Sequence, residues 1–374
     1  MRIVALIVSS LAVIACSSGV GPAEPESSAA VSEFLTTSEL TGYERALAPR
    51  TLAFPRDHAS HPQFKTEWWY FTGNLADAQS RSYGFQLTFF RFALAPNEPQ
   101  TRSPWRSHQA WMGHLAITDA ANGEFLHAER FSRDALGLAG NSGAPFRLWL
   151  EDWSATATGS APFPLRLLAS TREAGLDLTL TASKPPVPHG EGGLDRKGPE
   201  AGNASYYYSM PRLSADGELR IGEARRGVTG SAWMDREWST NSLSPELAGW
   251  DWFSLELSDG RDLMLYRLRT TAGESSPFTS GSLIDTDGRS LPLGLGDFVI
   301  EAREHWTSPS TGSRYPVGWS VELPAQNLRL EVRPLIPNQE MNLAIRYWEG
   351  AISAQGTSDG ESVNGRGYLE LTGY

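Results

Sequence analysis

Asp235, Arg236 and Glu237 form the most chemically suggestive triplet in the chain. Extended backbone sends alternate side chains to opposite faces, so Asp235 and Glu237 share one face while Arg236 shares the other with Met234 and Trp238. Two carboxyl groups about 7 Å apart on one face could act as a general acid and its partner, because crowding and burial raise one pKa. A proton donor set against an apolar double bond is what hydration or isomerisation requires. The same carboxylates could instead pair with arginines and close the end of a sheet. Tyr266 is likewise either a phenol that orients or protonates a substrate or a packed aromatic.

Glu67 is the next candidate, because a carboxylate buried among rings needs a partner or a proton. Glu67, Trp69 and Phe71 fall on one face of a strand, and Trp68, Tyr70 and Thr72 on the other. With Trp238 and Trp252, Glu67 and Trp69 make up the expected lining of a ligand pocket. Other chemistries find no support. His58 and His61 precede a proline without a further ligand in the same run, so no metal is expected. Gly-x-Ser-x-Gly elbows, phosphate loops and dinucleotide fingerprints are missing, which argues against a serine hydrolase and against any cofactor.

The elements that must position these residues are strands. Thirteen Trp, 36 Gly and 24 Pro accompany short alternating apolar runs such as Tyr83, Phe85, Leu87 and Phe89. Five Asx-Gly pairs, at Asn122, Asp216, Asp259, Asp287 and Asp359, predict hairpins in series. A long antiparallel meander hides its edges most simply by closing into a barrel, so the fold class is all-β. Residues 184–202 carry prolines, glycines and charges that predict a long loop.

An internal comparison predicts two such units. Trp68 to Leu75 matches Trp250 to Leu257, and Val228 to Trp233 matches Val363 to Tyr368, so each half opens on one motif and closes on the other. The expected boundaries are residues 46–243 and 244–374. Ahead of them, residues 1–16 read as an export signal that is too short to span a bilayer. Val13-Ile14-Ala15-Cys16 resembles a lipobox, with Cys16 as the lipidated residue, and Cys16 is the one cysteine in the sequence. Residues 17–45 read as a flexible tether, since their first half has almost nothing to bury. The net charge of -11 and the lack of a basic run exclude nucleic acid as a partner.

Several ordered motifs carry a wider resemblance: Phe54 to His58, Glu67 to Gly73, Ser205 to Ser209, Trp233 to Trp238, Gly249 to Phe253, Leu263 to Arg267, Tyr347 to Gly350 and Gly367 to Leu371. They resemble the secreted family variously called AttH-like, carotenoid 1,2-hydratase-like or predicted secreted hydrolase, within the lipocalin-like calycin superfamily. That resemblance implies two tandem lipocalin-like antiparallel β-barrels. It also implies a Trp on the first strand of a barrel packed against a basic residue of the last, a role that Arg366 suits for Trp250 or Trp252. Family members are linked to lipid or isoprenoid handling, one branch hydrates carotenoid double bonds, and another accompanies export-type ABC transporters. Against the carotenoid branch, Asp235, Trp238 and Tyr266 match. Arg236 replaces an expected His, and Leu268 stands where an Asp is expected.

Three functions follow as expectations. The first is an envelope-anchored barrel that binds a lipid, an isoprenoid or a similar apolar molecule. The second is a cofactor-free hydratase or isomerase of an apolar substrate that uses Asp235 and Glu237. The third is an accessory part of an envelope ABC transporter. All three expect an exported protein at the periplasmic face of the outer membrane, held only by its lipid, with a periplasmic or inner-membrane-anchored location as the alternatives.

Overall fold

The computed structural model describes residues 40–374 apart from 99 and 242. The expected signal, the lipidation site Cys16 and most of the expected tether lie outside the described residues. The tether's last residues are packed: Tyr43 donates to the Ala93 carbonyl, and Thr240 donates to the Glu44 carbonyl.

Two curled antiparallel sheets follow, one of thirteen strands and nearly closed, the other a half-barrel of ten. Both share one wiring, in which the first strand of the sheet pairs with its last. Thr66–Asp77 pairs with Ala224–Ser239, and Leu247–Leu257 pairs with Glu361–Thr372. The two repeated motifs are the paired strands themselves, and they pair in equivalent register. Leu75 faces Gly230 in the first sheet, and its counterpart Leu257 faces Gly365 in the second.

Four of the Asx-Gly pairs turn hairpins, and their glycines at 123, 260, 288 and 360 have positive φ. Asp216-Gly217 does not, because it lies inside the Ala204–Ile221 strand. A Cβ at Gly217 would come within 2.1 Å of the Asp177 carbonyl oxygen, so the glycine there permits close approach of the neighbouring strand. The expected loop at 184–202 contains two short strands, Val187–Pro188 and Leu194–Arg196, that add to the side of Ala204–Ile221.

The opening strands bury both faces, and that doubles their work. From Thr66–Asp77, Trp69 and Phe71 enter the core of the first barrel, while Tyr70 enters a separate cluster between the sheets. From Leu247–Leu257, Phe253 and Leu255 fill the half-barrel, and Trp252 points into the same seam. The barrel interior is therefore occupied by its own side chains, and apolar space for a guest is left between the sheets. Gly84 helps to bring them together, since a Cβ there would stand 2.5 Å from that of Ala351. Polar bonds lock the approach: Asn74 Nδ2 donates to the Gly367 carbonyl at 2.8 Å, and Lys184 Nζ meets Asp262 at 2.6 Å.

Candidate functional site in the seam

A cavity of about 900 Å³, counting its part open to solvent, lies in this seam. Aromatic rings dominate its lining, with Trp68, Tyr70, Phe90, Trp252 and Tyr347 among them. Five ionisable groups interrupt the apolar wall: Lys197, Asp235, Glu237, Glu349 and Glu370. Strand parity delivers Asp235 and Glu237 here together and sends Arg236 to the opposite face.

Asp235 is only 4% exposed. Three donors hold it: Tyr207 Oη at 2.7 Å, Trp233 Nε1 at 2.6 Å, and Ser209 Oγ. Burial pushes its pKa from 3.8 up to about 7, over the opposing pull of those donors and with help from the charge of Glu237. Behind it a chain of partners runs through Ser209 to His189 Nε2 at 2.6 Å, and from His189 Nδ1 to Ser282 of the second sheet at 2.9 Å. Burial, reinforced by the charge of Lys197, drops the His189 pKa to about 3, so the ring is neutral and a fixed link.

Glu237 faces a cation. Lys197 Nζ stands 3.1 Å from Glu237 and 3.0 Å from Asp195, and it lies above the rings of Tyr266 and Tyr207. Burial works against the lysine's charge, but Glu237 and Asp195 outweigh it and hold its pKa above the ordinary value. Burial also raises Glu237, with Lys197 pulling the other way. Tyr266 lines the cavity and donates to Asp195 Oδ1 at 2.7 Å.

Of the residues singled out by sequence, Asp235, Glu237, Tyr266 and Trp252 converge on this cavity. Glu67, Trp69 and Trp238 do not line it, because odd positions on one opening strand and even positions on its partner face the barrel core. Glu67 is held there between the guanidinium groups of Arg91 and Arg236. Trp238 stacks on His61 at 3.9 Å, and the Arg236 guanidinium lies 3.9 Å from the Trp69 ring centre. That last pair supplies the packing of tryptophan on a closing-strand cation expected of a calycin. Arg366 is exposed, and the Trp250 indole donates to Glu370 instead. The neighbour Trp68 lines the cavity where Trp69 does not.

Sequence reading passed over Lys197, Tyr207, Glu349 and Glu370. Tyr207 and Glu349 sit inside aromatic motifs read only as family markers, and Lys197 sits in the long loop. Charged residues in a loop that adds short strands to a sheet were the available signal. Among the described residues no group of three or more His, Cys, Asp or Glu is arranged to hold a metal ion.

Comparison with known proteins places this geometry in context. A family profile described as AttH-like matches residues 45–374. A solved AttH structure from Nitrosomonas europaea is 34% identical, covers 88% of this chain and 100% of its own, and superposes with a TM-score of 0.77. Kievitone hydratase from Nectria haematococca shares the fold at 13% identity and a TM-score of 0.66, over 88% of this chain and 96% of its own. The dehydratase asqC of Emericella nidulans is 24% identical over 222 residues, 55% of this chain and 60% of that protein, so the match spans less than two thirds of that relative's length.

Proposed function

Because the chain belongs to the AttH-like family over residues 45–374, a span that contains the whole seam, we propose that it adds water to, or removes water from, a carbon–carbon double bond of an apolar substrate. The observation that carries this reading is Asp235, a carboxyl brought to about 7 by burial at the wall of an aromatic cavity. A group with that pKa is present in both protonation states near neutrality, which suits proton transfer in either direction. Two relatives, one named for hydration and the other for dehydration, give the same reading support, since these are the two directions of one equilibrium.

In the hydration direction, the Asp235 proton forms a new C–H bond from the π electrons of the alkene. Water oxygen then bonds to the neighbouring carbon and loses a proton to the site. Elimination runs the same steps backwards. Lys197, held by Glu237 and Asp195, offers an N–H donor that can orient a polar group of the substrate. Tyr207 and Trp233 fix the angle of the Asp235 carboxyl. The aromatic wall excludes bulk water and favours flat or extended apolar guests, at roughly 25 cal/mol per Å² of apolar surface buried.

The test is to incubate the protein with the neutral lipids of its source cells in H₂¹⁸O and to compare all masses before and after. Features that gain one water carrying ¹⁸O, or that lose one water without taking up label, and whose rate falls by about 100-fold with Asp235→Asn, are expected. Retention of an apolar molecule without any change of mass would overturn the enzyme in favour of a carrier. Unchanged conversion by Asp235→Asn would remove Asp235 from the reaction.

A further inference from the structure

The wall of the cavity opposite Asp235 carries a second set of carboxyls. Glu349 and Glu370 are direct cross-strand partners in the second sheet, and both line the cavity. Residues so placed have Cβ atoms roughly 5 Å apart, a position at which two like charges repel. Neither carboxyl has a cation within ion-pair distance among the described residues. What each has is one neutral donor: Tyr70 Oη reaches across from the first sheet to Glu349 Oε2 at 2.7 Å, and Trp250 Nε1 meets Glu370 Oε1 at 2.8 Å. A core that wanted only stability would fill these positions with apolar groups, as it does at Leu369 and Leu371 on the same strand.

We infer that Glu349 and Glu370 act as one proton-sharing unit that takes the proton of the attacking water, so that hydrogen and oxygen add to opposite faces of the double bond. This rests on the hydration reading above and assigns the step that reading leaves open. The geometry divides the labour between walls. Asp235 on the first sheet delivers its proton to carbon from one side, and the water held by the glutamate pair attacks the other carbon from the opposite side. The C–O bond forms as one O–H bond of water breaks, and that proton goes to the pair. Asp235 is left as a carboxylate. Glu370, the partly exposed member, returns the extra proton to solvent as the product leaves, and Asp235 is reprotonated.

The electrostatics agree with a shared proton. Burial raises both groups, and each adds to or feels other negative charge in the site: Glu370 reaches about 8 with Asp235 and Glu237 contributing, and Glu349 is raised further by the charge of Glu370. Two protons cannot both leave such a pair near neutrality.

The first readout needs no substrate. Full-length protein with ¹³C-labelled glutamate carboxyls is titrated by NMR, using Glu349→Gln and Glu370→Gln to assign the two signals. The pair is expected to release its first proton in a step near pH 8 that each substitution shifts and to keep the second well above it, so that the form able to accept a proton grows as pH rises through 8; two ionised carboxyls at pH 7, or no proton released by pH 9, overturn the inference. The second readout runs the water-adduct reaction in D₂O. Anti addition and a rate loss of about 100-fold in each Gln variant, with no loss of melting temperature, are expected. If Asp235→Asn abolishes turnover while both Gln variants keep it, or if addition is syn, the glutamate pair is not the water's base and the hydratase reading survives. If Asp235→Asn has no effect, Asp235 is not the acid of the reaction, and if no water adduct forms at all, it is the hydratase reading that fails.

Discussion

Asp235 is pulled two ways by its surroundings, and the balance has a consequence for stability. Burial outweighs three hydrogen-bond donors and takes its pKa from 3.8 to about 7. Between those values the native state keeps a proton that the unfolded state has lost, so stability falls as pH rises through the window and is fully present below it. Asp235→Asn has no proton to lose. Its unfolding free energy, followed by urea denaturation, should therefore gain on the natural protein by up to about 4 kcal/mol between pH 4 and pH 8. Parallel curves would show that Asp235 is already ionised in the folded state. At this scale the alternation of a single strand was enough to place Asp235 and Glu237 together and Arg236 apart. It was not enough to say which face met the cavity, so Glu67, Trp69 and Trp238 were placed in the pocket although they belong to the barrel core.

At the scale of elements, the opening and closing strands of each sheet are legible because they carry motifs that pair with one another, Leu75 with Gly230 and Leu257 with Gly365. Asp216-Gly217 misleads, since a glycine chosen for close approach within a sheet has the same sequence signature as one chosen for a turn. The first sheet also shows how its opening strand is pinned. Glu67 lies directly opposite Arg91 on one neighbouring strand and bonds Arg236 of the other, and the His61 amide adds a further donor at 3.0 Å. Those guanidinium groups, with the His61 contact, outweigh burial and hold the Glu67 carboxyl far below its usual range. Glu67→Gln leaves two buried cations without their carboxylate. A loss of about 3–5 kcal/mol is expected, read as a lower urea midpoint at pH 7. A midpoint within about 0.5 kcal/mol of the natural protein would mean that water or rearranged backbone replaces the carboxylate.

The site belongs to the whole molecule, and that is why the sequence revealed only Asp235, Glu237, Tyr266 and Trp252 of it. Strands buried on both faces lose the apolar–polar alternation that marks a solvent face, and nothing in their pattern says that one face meets a second sheet. Lys197, Tyr207 and Glu349 come from a loop, the first sheet and the second, and only their packing brings them to one cavity. One feature at this scale remains a proposal drawn from sequence: attachment to a membrane through Cys16, which lies outside the described residues. No helix among the described residues is long and apolar enough to cross a membrane. Acyl chains at Cys16 would contribute about 0.8 kcal/mol for each buried CH₂, and two or more chains anchor stably. Expressed in its own host, the natural protein should sediment with membranes, enter the detergent phase and incorporate labelled palmitate. Cys16→Ala should lose the label and move to the aqueous fraction with its fold intact, and a variant that stays on the membrane without label would show that acyl chains are not what retains the protein.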